Sequence, residues 1–251
     1  MSVTDGMMLF SVKVAGCVAE VRTCHQTTMN RCSSYLTDGT PDFSITISQS
    51  DIDFERTKSA REDVLEGIPE RQFSDAYLET LAVQRKITEE LFQYDTLLFH
   101  GSVVAVDGVG YLFTAKSGTG KSTHTRLWRE VFGERAVMVN DDKPFLRITE
   151  GGVFACGSPW NGKHGLGTNI TVPLKAICIL DRGETNEICP IEAKDALFML
   201  LQQSNRPQDP RKMPLYLNLL DRLAAGVDFY HLHCNMDPEA ATIAYRAMAD
   251  K

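Results

Sequence analysis

The chain has 251 residues, 43% of them hydrophobic, enough to bury one large core or two smaller ones. Its net charge of −7 is spread without a basic block, which argues against nucleic acid as a partner. No apolar run approaches the ~20 residues of a membrane-spanning helix, and seven scattered cysteines without a C-x-x-C pair read as reduced thiols of a cytoplasmic protein.

Partial alternation of Phe10, Val12 and Val14 with Ser11 and Lys13 predicts a strand over residues 8–21. Val14-Ala15-Gly16-Cys17 lacks the basic leading region of a lipoprotein signal and is read as part of that strand. Residues 22–42 are polar and turn-rich, and Asp38-Gly39 marks an expected hairpin tip. Phe43, Ile45 and Ile47 alternate as a second strand, and residues 51–67 are charged and weakly helical. Residues 74–94 form a stronger helix: Ser74 caps it, and Tyr77, Leu78, Leu81, Ile87, Leu91 and Phe92 make an apolar stripe expected to face the core. Residues 1–95 are read as an N-terminal α+β segment packed on a core domain of residues 96–251, or the two as one continuous domain.

A strand over residues 97–106, the turn Asp107-Gly108-Val109-Gly110 and a strand from Tyr111 predict an antiparallel hairpin. Another strand, 136–139, ends in Asn140-Asp141-Asp142, and residues 145–148 and 153–155 form a hairpin about Glu150-Gly151-Gly152. Residues 156–170 are a long loop rich in glycine, a length usually kept for function. A buried strand at 174–181, helices at 193–203 and 214–226, a strand at 229–234 and a helix at 238–250 complete the chain. His231-Leu232-His233-Cys234 reads as alternation across that last strand, with a metal site as the alternative. The fold class is α/β, a mixed sheet with helices packed around it.

The chain is organised around Lys116-Ser117-Gly118-Thr119-Gly120-Lys121-Ser122-Thr123, a glycine turn between an apolar strand and a helix carrying Leu127, Trp128, Val131 and Phe132. That context predicts a P-loop of Walker A type, with Ala115 at the usual first glycine. Glycines let backbone N–H groups turn inward around phosphate oxygens, and the helix start adds free N–H donors and its positive dipole end. In this reading Ser117, Gly118, Thr119, Gly120, Lys121, Ser122 and Thr123 bind the nucleotide, Lys121 reaches the outer phosphates and Ser122 holds Mg²⁺.

Asp141 and Asp142 stand at the C-terminal end of a strand, where α/β sheets bind ligands. One is suited to holding Mg²⁺ and the other to accepting a hydroxyl proton. A solvated Asp-Asp turn is the alternative. His100 opens the strand that hairpins into the loop strand and is either near the phosphates or structural. Lys163 and His164 are candidates for contacting phosphate or acceptor, or are surface groups. Arg206 and Arg211 are weaker candidates for clamping a phosphoryl group, since a guanidinium fits phosphate bidentately.

His100-Gly101, the Asp107–Gly110 turn, the Ser117–Ser122 loop and Asp141-Asp142 together resemble the catalytic domain of bacterial HPr kinase/phosphorylase over residues 97–182. They also resemble the nucleotide core of ATP-dependent phosphoenolpyruvate carboxykinase, which shares the fold. The resemblance implies ATP and Mg²⁺ as cofactors, His100 as the active-site histidine, Lys121 as the phosphate lysine and Ser122 as a metal ligand. It implies Asp142 as the proton acceptor. His164-Gly165-Leu166-Gly167 lies where the family has Arg-Gly-Leu-Gly, while Gly162 and Lys163 stand near the place of its metal-binding glutamate. This departure argues against HPr as substrate and against the reverse phosphorolysis, and leaves the reverse reaction open. The expectation is an ATP-dependent kinase acting on a hydroxyl, of a protein or peptide serine or a small metabolite, with neither nucleic acid nor membrane as partner. The alternatives are a nucleotide-binding protein with little transfer and a carboxykinase-type enzyme. The related kinases are oligomers, which extends a homo-oligomer as an option and leaves the state open.

Overall fold

A computed structural model describes residues 2–4, 7–116, 118–162 and 164–249. The chain divides into two compact units, Met1–Leu91 and Phe92–Lys251. Among the described residues no helix is long and apolar enough to cross a membrane.

The first unit contains β1 (Ser2–Thr4), β2 (Met7–Val14), β3 (Cys17–Thr23), α1 (Gln26–Arg31), β4 (Phe43–Thr46), α2 (Gln49–Glu66) and α3 (Asp75–Leu91). The single strand expected over 8–21 is two strands. Ala15 and Gly16 take φ of 49° and 82°, a two-residue turn of the kind that matches strand twist, and it folds β2 onto β3. Asp38-Gly39 is not a hairpin tip, because β3 and β4 pair in parallel and residues 24–42 are the crossover between them. The buried Glu79 of α3 accepts bonds from the Cys24 and His25 amides and from the Thr28 hydroxyl, tying the start of α1 to α3.

The second unit contains β5 (Thr96–Leu98), β6 (Ser102–Val106), β7 (Val109–Thr114), α4 (Lys121–Phe132), β8 (Ala136–Asn140), β9 (Phe145–Thr149), β10 (Gly152–Cys156) and β11 (Thr171–Arg182). It continues with β12 (Glu187–Ile191), α5 (Ala193–Gln203), α6 (Met213–Gly226), β13 (Asp228–Cys234) and α7 (Glu239–Ala249). The sheet is mixed, in the order β5-β9-β10-β11-β7-β6-β8, with β13 on β11 and β12 on β13. The long β11 pairs with β10 at its start and with β7 and β13 further on.

Both faces of this sheet are covered. Val104, Tyr111, Phe113, Cys178 and Leu232 pack with Leu127 and Trp128 of α4 and Ala241 and Ala244 of α7. On the other face Val103, Leu112, Ile177 and Phe229 pack with Leu200 of α5 and Leu219 and Leu223 of α6. Consecutive residues of one strand point to opposite faces, which is why β6 and β7 are buried along nearly their whole length and are mostly apolar.

The single strand expected over 97–106 is broken at 99–101. There the backbone amides of Phe99, His100 and Gly101 bond outward to the carbonyls of Pro144, Gln203 and Asp142. A Cβ on Gly101 would sit 3.0 Å from Leu112 Cδ2 and 3.1 Å from the Phe113 carbonyl, so a side chain here would press on β7. The Asp107-Gly108 turn has φ of 51° and 81° and joins β6 to β7 as the expected antiparallel hairpin.

Candidate functional site

Strand directions bring the candidate residues together. β6 is antiparallel to both β7 and β8, so β7 and β8 run the same way, and β11 and β13 run parallel with β7. The C-terminal ends of all four strands therefore lie at one edge, and the reversed β6 begins there. That edge collects the loop after Thr114, the acids after Asn140, Arg182 at the end of β11, and His100 just before β6.

The loop from β7 to α4 starts at Ala115, which is fully buried. Gly118 and Gly120 have φ of 77° and 126°, backbone that side chains rarely adopt. Ser117 lies outside the described residues. No side chain caps α4 at Gly120, so the first-turn amides carry no side-chain acceptor there. Lys121 folds back until its Nζ donates to the Ala115 carbonyl at 3.3 Å. Burial lowers the Lys121 pKa, opposed by the nearby Asp142 and Asp141 and assisted by Lys143. Ser122 and Thr123 stand half-buried in the first turn of α4. From β11, Arg182 donates to the Gly118 carbonyl at 2.6 Å and to that of Thr119 at 3.4 Å. A cleft of about 520 Å³ opens beside the loop, lined by Thr119, Thr123, Leu180, Arg182, Asn235 and Met236 among others.

Asp141 is 4% exposed. Its Oδ1 accepts from the Ser102 hydroxyl at 2.7 Å, and that hydroxyl is 3.1 Å from the hydroxyl of Thr125 in α4. Its Oδ2 is buried and has no hydrogen-bond partner among the described residues. A buried carboxylate oxygen without a donor is costly, and such a group calls for a cation or a ligand. Asp142 is more open. Its Oδ1 lies 3.4 Å from Nε2 of His100. Burial raises the Asp142 pKa, Asp141 adds to the rise, and Lys143 and Lys121 oppose it. Burial and the same two lysines push the His100 pKa down to about 3 against a bond from Gln203 that raises it, so at neutral pH His100 faces Asp142 as an uncharged imidazole.

The fully buried Asn140 builds this corner. Its Oδ1 accepts from the amides of Asp142 at 2.8 Å and Lys143 at 2.7 Å. Its Nδ2 donates to the Ser158 carbonyl and hydroxyl and to Asn161. The long loop is thereby held against the acids: the Asp141 amide bonds to the Leu166 carbonyl, and a Cβ on Gly162 would come within 3.3 Å of the Asp142 Cβ. His164 is exposed on this loop, and Lys163 lies outside the described residues.

The structure thus gathers His100, Lys121, Asp141 and Asp142, with Ser122 and Thr123 on the helix that carries Lys121. The chain at Gln203–Asn205 runs beside Leu98–His100 through two backbone bonds, with the exposed Arg206 next in sequence donating to Leu201. Arg211 is engaged by Asp209, two residues away, at 2.8 to 3.1 Å. Ser102, Thr125, Asn140 and Arg182 were not singled out from sequence. A hydroxyl opening the apolar run of β6 and an amide directly before two acids were the available signals.

A family model described as SynChlorMet cassette protein ScmC matches residues 71–213, a span containing His100, the glycine loop and both acids. The HPr(Ser) kinase/phosphatase from Coxiella burnetii is similar at 12% identity and a TM-score of 0.36, over 61% of this chain and 99% of that one. No curated protein matches. The match over 71–213 takes in more than half of the 251 residues, and the chain belongs to the family of the SynChlorMet cassette protein ScmC.

Proposed function

We propose that this protein is an ATP-dependent kinase that transfers the γ-phosphoryl group to a hydroxyl, on a protein or peptide serine or on a small metabolite. The observation that carries the reading is the buried Asp141, whose Oδ2 has no partner among the described residues, set beside Asp142 at the same sheet edge as the glycine loop. The uncapped start of α4 and the amides of Gly118 and Gly120 suit phosphate oxygens, while the Thr119 amide closes the turn on the Lys116 carbonyl. The neighbouring cleft of about 520 Å³ has the size of a small-molecule site and suits the nucleoside.

The residues present fit Mg²⁺: among the described residues Asp141 Oδ2 lacks a donor, and Ser122 adds a hydroxyl at the helix start. Bound there, the ion would neutralise phosphate charge. Lys121, kept partly desolvated, adds positive charge where negative charge develops in transfer. Asp142, with its raised pKa and an uncharged histidine alongside, is the proton acceptor. The acceptor oxygen bonds to the γ-phosphorus, the bond to the β–γ bridging oxygen breaks, the hydroxyl proton passes to Asp142, and ADP leaves.

Incubation with ATP, Mg²⁺ and a peptide or metabolite pool, followed by mass spectrometry for phosphorylated products, tests this. Acceptor-dependent ATP turnover is expected, and Lys121→Ala abolishes it. Turnover that never depends on an acceptor rejects the kinase in favour of a nucleotide-binding protein.

A further inference from the structure

On the strand beside β11, His231 and His233 are two residues apart, so their side chains leave the same face of the sheet. Asp181 of β11 is in register with His233 across the parallel pair. The three side chains close on one another. Nε2 of His231 lies 2.8 Å from Oδ2 of Asp181, and the two imidazole centroids are 4.5 Å apart. One ligand atom from each residue falls within 4.8 Å of the other two.

A hydrogen-bonded His–Asp pair accounts for two of these groups and leaves the second imidazole unexplained. Among the described residues, no hydrogen bond engages the ring nitrogens of His233. The backbone beneath is rigid for a surface site, because β13 is paired on both sides, with β11 and with β12. Asp181 and His233 are exposed and His231 is half-buried, so an ion can enter and keep water. Two imidazoles and one carboxylate are a borderline donor set. It suits Zn²⁺ and its neighbours in the first transition row, whereas Mg²⁺ and Ca²⁺ prefer all-oxygen sites.

We propose that Asp181, His231 and His233 form a three-ligand site for one divalent transition-metal ion of the Zn²⁺ class, with water completing the coordination. The three ligands are distinct from the residues assigned to phosphoryl transfer, and Asp181 also lines the cleft that the kinase reading gives to the nucleoside. Cys189, exposed on β12 in register with His231, is on the same face and is the competing ligand to test.

The experiment titrates the full chain with Co²⁺ near neutral pH in excess Mg²⁺, following the visible d–d bands, and then adds Zn²⁺. One Co²⁺ per chain is expected, displaced by Zn²⁺ and not by Mg²⁺, without a thiolate charge-transfer band. The double variant His231→Ala/His233→Ala should lose affinity by roughly a hundredfold or more, Asp181→Asn by roughly tenfold, and Cys189→Ser not at all. Circular dichroism checks that the variants remain folded, and Lys121→Ala should bind the metal as the parent does. Failure to bind Co²⁺, equal binding by the double histidine variant, or binding that disappears with Cys189→Ser would each overturn the assignment.

Discussion

Lowering the pH from 7 to 4 should loosen the second unit through His124, one turn after Lys121 in α4. This imidazole is 2% exposed, and its Nε2 accepts the indole N–H of Trp128 at 3.0 Å. Its ring stands edge-to-face with Phe113 at 4.6 Å. Protonation would place an N–H on the nitrogen that now accepts from Trp128 and would bury a charge. Burial accordingly lowers its pKa from 6.5 to about 4. The unfolded chain binds the proton first, so stability is complete above pH 6.5 and is lost as pH falls toward 4. At about 1.4 kcal/mol per pH unit, that interval is worth about 2 kcal/mol at pH 5 and about 3 kcal/mol at pH 4. Both tryptophans of the chain, Trp128 and Trp160, lie in the second unit, so their fluorescence in urea reports that unit alone. The comparison is with His124→Gln, which keeps an acceptor for Trp128 and cannot titrate. Other groups, His100 among them, are common to both proteins and drop out of the difference. The stability difference between the two proteins should shift by about 3 kcal/mol in favour of the variant between pH 7 and pH 4. Parallel pH profiles would refute the reasoning.

Three further outcomes are expected. Asp142→Asn should retain nucleotide affinity while losing transfer, and its melting temperature at pH 7 should not fall. A carboxyl whose pKa is raised by burial penalises the folded state once ionised, so removing the charge relieves the penalty; full transfer activity, or a lower melting temperature, would count against its role. Asn140→Ala strands the Asp142 and Lys143 amides and releases Ser158 and Asn161. It should cost roughly 3 kcal/mol or more, read by the same urea titration, and a cost below about 1 kcal/mol would reject the corner as described. Arg182→Ala removes an exposed side chain and should change stability by less than about 0.5 kcal/mol. It should nevertheless speed amide exchange at residues 118–120 and weaken nucleotide binding by calorimetry; unchanged exchange there would show the arginine contacts to be idle.

What could be read from sequence was what the chain states locally. The strand, glycine turn and helix around Lys121 each carry their own signal in apolar periodicity and in residues that tolerate positive φ. The Asp107-Gly108 hairpin is declared by two adjacent turn residues, and the end of α2 by the single Gly67, which takes φ of 67°. The turn between β2 and β3 was hidden because its first residue is Ala15 at φ 49°, a conformation that alanine does not advertise. The edge strand β12 was hidden because it is mostly exposed and contains Pro190, so burial imposes no apolar pattern on it.

The candidate site divides along the same line. His100, Lys121, Asp141 and Asp142 announce themselves as polar groups at the ends of apolar runs. Their supports do not, because a support is defined by partners distant in sequence. Ser102 matters through Asp141, 39 residues on, and Arg182 through Gly118, 64 residues back. Asn140 holds residues on both sides of a loop that carries no periodicity of its own. The same distinction sets how the site should respond to change. Under the proposed kinase reading, substituting Asp142 removes a chemical step and leaves the fold, whereas substituting Asn140 releases the Asp141-Asp142 turn and the loop held by Ser158 and Asn161 together. Loss of activity with stability kept and loss of both together are therefore different signatures, and Asp142→Asn set against Asn140→Ala separates them.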